Sequence, residues 1–194
     1  MNTIQIITLV LLGVFYVAYF TKALVLQRRG ICVNLLGEGK KPPQALVVER
    51  LLRVATAIGA VIQCVSTGFP HLLWSLDPKL PLEITGLVLM AIGILVFILA
   101  MVVMRDNWRA GFTEDQNTSL ITTGIYRFSR NPAFIGFDLL YIGCAAAFPN
   151  ILNLLWALGC IALFHIQILG EEKYCTEAFG REYIDYCTRV RRYF

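Results

Sequence analysis

Two polar stretches carry the residues best suited to chemistry. Residues 118–134 read TSLITTGIYRFSRNPAF and contain Gly124, Arg127, Arg130 and Pro132. Gly124 permits a tight turn, and Pro132 suits the first turn of a helix, where its missing N–H costs nothing. The free N–H groups of that helix start, together with Arg127 and Arg130, would attract a carboxylate or another anionic group. Composition alone also reads them as a loop whose arginines serve topology. Residues 171–194 open with the adjacent acids Glu171 and Glu172, one turn past His165 and Gln167. Gln167 and Glu171 share a helix face at i, i+4, and such an acid suits proton transfer or simple solvation at a membrane boundary. Cys175, Phe179, Tyr183, Tyr186 and Val190 form one helical stripe, which predicts an amphipathic helix weakened or interrupted at Gly180.

The elements that position these stretches are apolar. Of 194 residues, 57% are hydrophobic and only 15% charged, against about 25% charged in soluble domains. Five stretches are each read as crossing a hydrocarbon core of about 30 Å: residues 3–21, 51–74, 82–104, 133–148 and 151–169. Pro149-Asn150 alone separates the last two, so they form an antiparallel hairpin. The fold class expected is an all-α integral membrane protein of about five transmembrane helices. It is read as one polytopic domain over residues 1–194, with a helical hairpin and a cytoplasmic amphipathic tail helix. Unbroken runs such as LVLMAIGILVFILAMVVM exclude the alternating segments of a membrane barrel.

Lysine and arginine gather between the first and second stretches, between the third and fourth, and after the fifth, while the other side has only Lys79. The positive-inside rule puts the amino terminus outside and the two polar stretches together in the cytoplasm. The net charge of +4 is then topology, and no nucleic-acid partner is expected. The first apolar run is longer than a signal-peptide core of about 7–15 residues and is read as a retained helix. Six cysteines without a C-x-x-C, and two distant histidines, point to reduced structural thiols and no metal site. Gly37-Glu38-Gly39-Lys40 is too short for a phosphate loop and is read as flexible. Ala55 and Gly59 suit close helix contact. Gln63 and Asp138 sit within spans, and Asp138 is assigned either an interhelical hydrogen bond or a substrate-facing role.

The run TGIYRFSRNPAFIG resembles the G-x-Y-x-x-x-R-H-P-x-Y-x-G signature of the isoprenylcysteine carboxyl methyltransferase family, and EEKYCTEAFGREYIDYCTRV resembles that family's E-E…F-G-x-x-Y-x-x-Y-x-x-x-V ending. The similarity covers roughly the last 80 residues, within 118–194. It implies a membrane methyltransferase that uses S-adenosylmethionine and releases S-adenosylhomocysteine. The resemblance assigns cofactor contacts to Thr118, Ser119, Leu120, Ile121, Gly124, Tyr126, Asn131, Pro132, Ala133, Phe134 and His165. It assigns catalytic roles to Arg130, Glu171 and Glu172, and acceptor contacts to Gln167, Glu171 and Arg189. Asn131 stands where the signature has histidine, Phe134 where it has tyrosine, and Gln167 where the prenylcysteine enzymes have arginine, so a cation able to grip a carboxylate is missing there.

The expected acceptor is a lipophilic or prenylated molecule entering laterally from the bilayer, among membrane lipids, with a prenylcysteine-like carboxylate first. A carboxylate acceptor is already ionised at neutral pH; a phospholipid or other lipid amine would need Glu171 or Glu172 as base. Two readings from other classes remain open: an NADPH-dependent reductase of the sterol type, and a non-enzymatic membrane scaffold or transporter.

Overall fold

Each helix starts where its sequence supplies a start. The computed structural model describes residues 1–73, 76, 78–112 and 119–194. α1 (Thr3–Arg28) opens with a capping box in which Gln5 N donates to Asn2 Oδ1 at 2.8 Å and Asn2 N to Gln5 Oε1 at 2.7 Å. First-turn prolines begin α2 (Pro43–Gly68), α3 (Leu80–Met104) and α4 (Pro132–Ala147). Asn150 caps α5 (Ile151–Phe179) by accepting from Asn153 N at 2.8 Å. Gly180, at φ 53° and ψ −125°, ends α5 and starts α6 (Arg181–Arg189).

α1, α3 with its 3₁₀ extension to Asn107, and α5 are long and apolar enough to cross a membrane; α4 is a shorter apolar helix. The chain is an integral membrane protein. The 29 residues of α5 span about 43 Å at 1.5 Å per residue, more than the roughly 30 Å of hydrocarbon. The helix therefore carries its polar last turns, from Gly170 onward, beyond its apolar part. The apolar stretch read over residues 151–169 is thus the first part of a longer helix. The second apolar stretch also differs: its helix begins at Pro43 and ends at Gly68, because Pro70 lacks the N–H a continuing helix needs and a 3₁₀ turn (Pro70–Leu73) follows. The expected end of that stretch at Trp74 lies outside the described residues.

α3 and α4 meet along two glycine pairs. A Cβ on Gly86 would lie 2.5 Å from Gly143 O, and one on Gly93 would lie 2.7 Å from Gly136 O. Only small residues let two backbones come this close. Gly59 serves α2 similarly, since a Cβ there would lie 2.5 Å from Tyr141 Oη; nearby, Trp156 Nε1 donates to Ala55 O at 3.0 Å. Phe15, Phe97 and Phe137 pack with ring centroids 4.5–5.0 Å apart and join α1, α3 and α4. Tyr183, Tyr186 and Val190 bury with Leu120, Cys175 and Phe179, so the tail stripe forms one cluster across the Gly180 break.

Outward faces carry exposed apolar residues such as Val10, Val17, Leu95, Val102 and Leu155, as a lipid solvent requires. Within the bundle Tyr16 Oη donates to Gln63 Oε1 at 2.9 Å. Among the described residues Asp138 Oδ1 is buried without a hydrogen-bond partner. All six cysteines are unpaired.

Candidate active site

The site lies at the end of the bundle where the α1–α2 loop, the α3–α4 loop, the start of α4 and the end of α5 converge. The two loops pair through a parallel bridge, with Leu35 N donating to Ala110 O at 2.9 Å and Ala110 N to Val33 O at 2.8 Å. The stretch expected to be a flexible loop is thus part of a built support: Gly37 N donates to Glu49 Oε2 at 2.7 Å.

A 3₁₀ turn (Gly124–Arg127) precedes α4. Gly124 takes φ 59°, and a Cβ there would press to 2.7 Å from Val103 Cγ2. The turn buries Tyr126, whose carbonyl accepts from Tyr186 Oη at 2.6 Å, docking α6 against it. Glu172 then clamps three segments. Arg130 donates to its Oε1 through Nε at 3.1 Å and Nη2 at 2.8 Å; Arg192 donates to Oε2 through Nε at 3.0 Å and Nη2 at 2.7 Å. Arg130 Nη1 also donates to Val190 O at 2.7 Å, and Arg130 N to Arg191 O at 3.0 Å. Asn131 Nδ2 donates to Glu172 Oε1 at 3.3 Å and to Arg192 O at 3.2 Å. Burial pushes the Glu172 carboxyl up, but the hydrogen bonds and charges of Arg192 and Arg130 outweigh it and hold it below the usual carboxylate range.

Glu171, one residue earlier, faces elsewhere. Gln167 Nε2 donates to Glu171 Oε1 at 3.0 Å and to Glu49 Oε1 at 3.2 Å. Glu49 pairs with Lys41, and both side chains are wholly buried. Lys41 Nζ also donates to Leu35 O at 2.9 Å and lies 5.1 Å above the Phe112 ring, which stacks on Tyr174. Burial, reinforced by the Glu49 charge and opposed by the Gln167 hydrogen bond and by Lys41, pushes the Glu171 carboxyl up to about 7.

Between these networks lies a cavity of about 590 Å³, within the range of small-molecule sites. Asn107, Arg109, Arg130, Asn131, Gln167 and Glu171 give it a polar wall; Phe15, Tyr16, Tyr19, Leu52, Phe137 and Phe164 give it an apolar one. Of the residues expected at a site, the lining includes Ser119, Leu120, Ile121, Tyr126, Ala133, Phe134 and Glu172 as well. Gly124 and Pro132 lie outside the lining and shape the turn and helix start. His165 also lies outside it, exposed, with Nδ1 2.5 Å from Tyr193 Oη. Arg189 is exposed and donates within its own helix to Asp185 O at 3.2 Å; Arg192 is the tail arginine that reaches Glu172. Thr118 lies outside the described residues. Among the described residues no group of three or more His, Cys, Asp or Glu is placed to hold a metal.

The phospholipid methyltransferase family profile matches residues 82–182, from α3 into α6. The chain belongs to the phospholipid methyltransferase family. Within that match lie Arg130, Gln167, Glu171 and Glu172; Lys41, Glu49 and Arg192 lie outside it. The protein-S-isoprenylcysteine O-methyltransferase of Saccharomyces cerevisiae is 35% identical over 78 residues, 40% of this chain and 33% of that protein. A probable protein-S-isoprenylcysteine O-methyltransferase of Oryza sativa subsp. indica is 33% identical over 109 residues, 54% of this chain and 56% of that protein. The mouse (Mus musculus) protein-S-isoprenylcysteine O-methyltransferase is 29% identical over 112 residues, 56% of this chain and 40% of that protein. The chain thus spans between 33% and 56% of the length of these relatives.

Sequence reasoning counted Lys41 only among the topology-setting charges and did not single out Glu49. A lone carboxylate between Val47-Val48 and Leu51-Leu52 was the available signal, since a charge on an apolar helix face implies a buried partner. It missed Arg109 as a cavity residue, because its loop position looked like topology alone.

Proposed function

We propose that this family member is a membrane methyltransferase that transfers a methyl group from S-adenosylmethionine to the carboxylate of a prenylcysteine-like amphiphile. One observation carries the reading: Ser119–Ile121, Tyr126, Arg130, Asn131, Ala133 and Phe134 share one cavity with Gln167, Glu171 and Glu172, and that cavity continues along apolar residues of α1 and α2. A nucleoside-bearing donor and a lipid acceptor need such a place, polar on one side and apolar on the other. α1 to α5 are five spans, with the site on the cytoplasmic side and the acceptor entering between α1 and α2.

The residues present fit the donor. Ser119 and Asn107 are held to each other by hydrogen bonds of 3.1 and 3.2 Å and border the cavity with Leu120 and Ile121. The faces of Tyr126 and Phe134 suit a sulfonium, to which aromatic rings are attracted. When bound, S-adenosylmethionine would supply an electrophilic methyl, to which an ionised acceptor oxygen bonds in line as the methyl–sulfur bond breaks and S-adenosylhomocysteine leaves. The protein's task is to align the two and exclude water. Arg130 and Glu172, bound to each other, hold the cavity's frame, while Glu171 lines the space beside the acceptor.

Arg109 supports a carboxylate acceptor. Arg130 is tied to Glu172, whereas among the described residues the Arg109 Nη1 donates only to the backbone carbonyls of Asp106 and Trp108 and its buried Nε has no partner. Arg109 thus supplies the cation that Gln167 does not. One observation favours a lipid amine instead: a Glu171 carboxyl near 7 matches a general base at neutral pH. Radiolabelled methyl transfer in detergent separates the two. An S-prenylcysteine should gain a base-labile methyl ester, and transfer only to a lipid amine, as a base-stable product, would overturn the carboxylate assignment.

A further inference from the structure

The Lys41–Glu49 pair is not explained by folding alone. Both side chains are wholly buried, and a buried ion pair contributes little net stability relative to apolar residues of the same volume. Its surroundings are nevertheless built around the carboxylate. Oε2 receives Gly37 N and Lys41 Nζ, and Oε1 receives Gln167 Nε2. Gly111 keeps the remaining side open, since a Cβ there would lie 3.0 Å from Glu49 Oε1. Neither Lys41 nor Glu49 lines the cavity.

What the pair does touch is Gln167. That amide has two N–H donors on one nitrogen, and both are committed, one to Glu49 at 3.2 Å and one to Glu171 at 3.0 Å. With a carboxylate on each side of Nε2, only one amide orientation satisfies the site. We infer that Glu49 and Lys41 are positioning residues for Glu171, acting through Gln167. The inference rests on the proposed function for its catalytic part. It ties the α1–α2 loop and α2, outside the family match at 82–182, to the carboxylate that borders the acceptor space.

Among the described residues the charges facing Glu171 are Glu49 from α2 and Lys41 from the preceding loop. Tyr126 of the 3₁₀ turn and Cys175 of α5 are also coupled to it. Glu49 raises the Glu171 carboxyl and Lys41 lowers it, so neutralising Glu49 while Lys41 remains moves the carboxyl down.

The test uses the full chain in detergent, with glutamate labelled at the side-chain carboxyl by carbon-13 and the Glu171 resonance assigned by its loss in E171Q. In E49Q the Glu171 titration midpoint is expected to fall by about one unit. Turnover should fall about tenfold, with affinity for S-adenosylhomocysteine within about twofold of wild type. An unchanged midpoint, or turnover within twofold of wild type, would overturn the assignment. If E49Q does not fold, K41M/E49Q leaves no unpaired charge. It should keep S-adenosylhomocysteine binding and still lose about tenfold in turnover; wild-type turnover in it would overturn the inference. Absence of product binding and turnover in the wild type would instead sink the methyltransferase reading, while the titration would still decide whether Glu49 governs Glu171.

Discussion

Glu171 and Glu172 are neighbours in the chain and opposites in the fold. Glu172 turns toward the start of α4 and residues 190–192, where two arginines saturate it. Glu171 turns toward α2 and the cavity, where its hydrogen-bond partner among the described residues is an uncharged amide already shared with another carboxylate. Successive helical residues differ by about 100° in direction, so one acid pair serves two regions: a clamp that fixes the frame, and a poised group beside empty space. Adjacent acids need not share a role, and the partners each one meets decide which is which.

The largest expected effect is on the clamp. Glu172→Gln leaves Arg130, only 11% exposed, without its counter-charge, and should destabilise the protein by about 3 kcal/mol, read as a fall in thermal midpoint. Glu171→Gln should leave that midpoint within a few degrees while turnover on a carboxylate acceptor drops by about tenfold through lost alignment; a drop of about 100-fold would point to a general base and so to an amine acceptor. If both variants lose stability equally, the contrast between the acids is broken. Next comes Arg109→Gln. Losing a charged hydrogen bond to the acceptor should raise KM for a carboxylate substrate by about 10- to 100-fold, with S-adenosylhomocysteine affinity unchanged in calorimetry.

The two acids also predict opposite pH trends. Glu172 is held low, so its stabilisation is present above the unfolded carboxylate value and is lost as pH falls through the folded one. Glu171 is raised to about 7. The folded state then binds more protons than the unfolded state between the ordinary carboxylate value and about 7, and stability falls as pH rises across that window. Thermal melts of Glu172→Gln should lose the acidic slope, and those of Glu171→Gln the slope toward neutrality. The smallest effect belongs to Arg189→Ala, expected to change neither stability nor turnover by more than about twofold, because among the described residues its side chain bonds only within its own helix.

Local patterns were legible from sequence. The stripe from Cys175 to Val190 appears as one buried cluster, and the break sits at Gly180, because periodicity and a backbone preference act within a few residues. The hairpin at Pro149-Asn150 follows from its length. Pairings between distant segments were not legible. Glu49 meets Gln167 across the bundle, and nothing in either neighbourhood marks that partner. Arg189, Arg191 and Arg192 look alike in sequence, and only the path of the chain back toward α4 selects Arg192 for Glu172. In α5 the apolar stretch and the helix end at different places: apolar character stops near Gly170, while the backbone stays helical to Phe179 and breaks at Gly180, the residue the sequence marks.

Titration of the detergent-solubilised chain with S-adenosylhomocysteine in a calorimeter tests the central claim most directly, using Ala133→Trp, at the cavity wall, as the control. The account predicts saturable binding with a dissociation constant between about 1 µM and 1 mM, lost in Ala133→Trp while the thermal melt is retained. A folded wild-type protein that takes up no ligand, or a variant that binds as well as wild type, would contradict it.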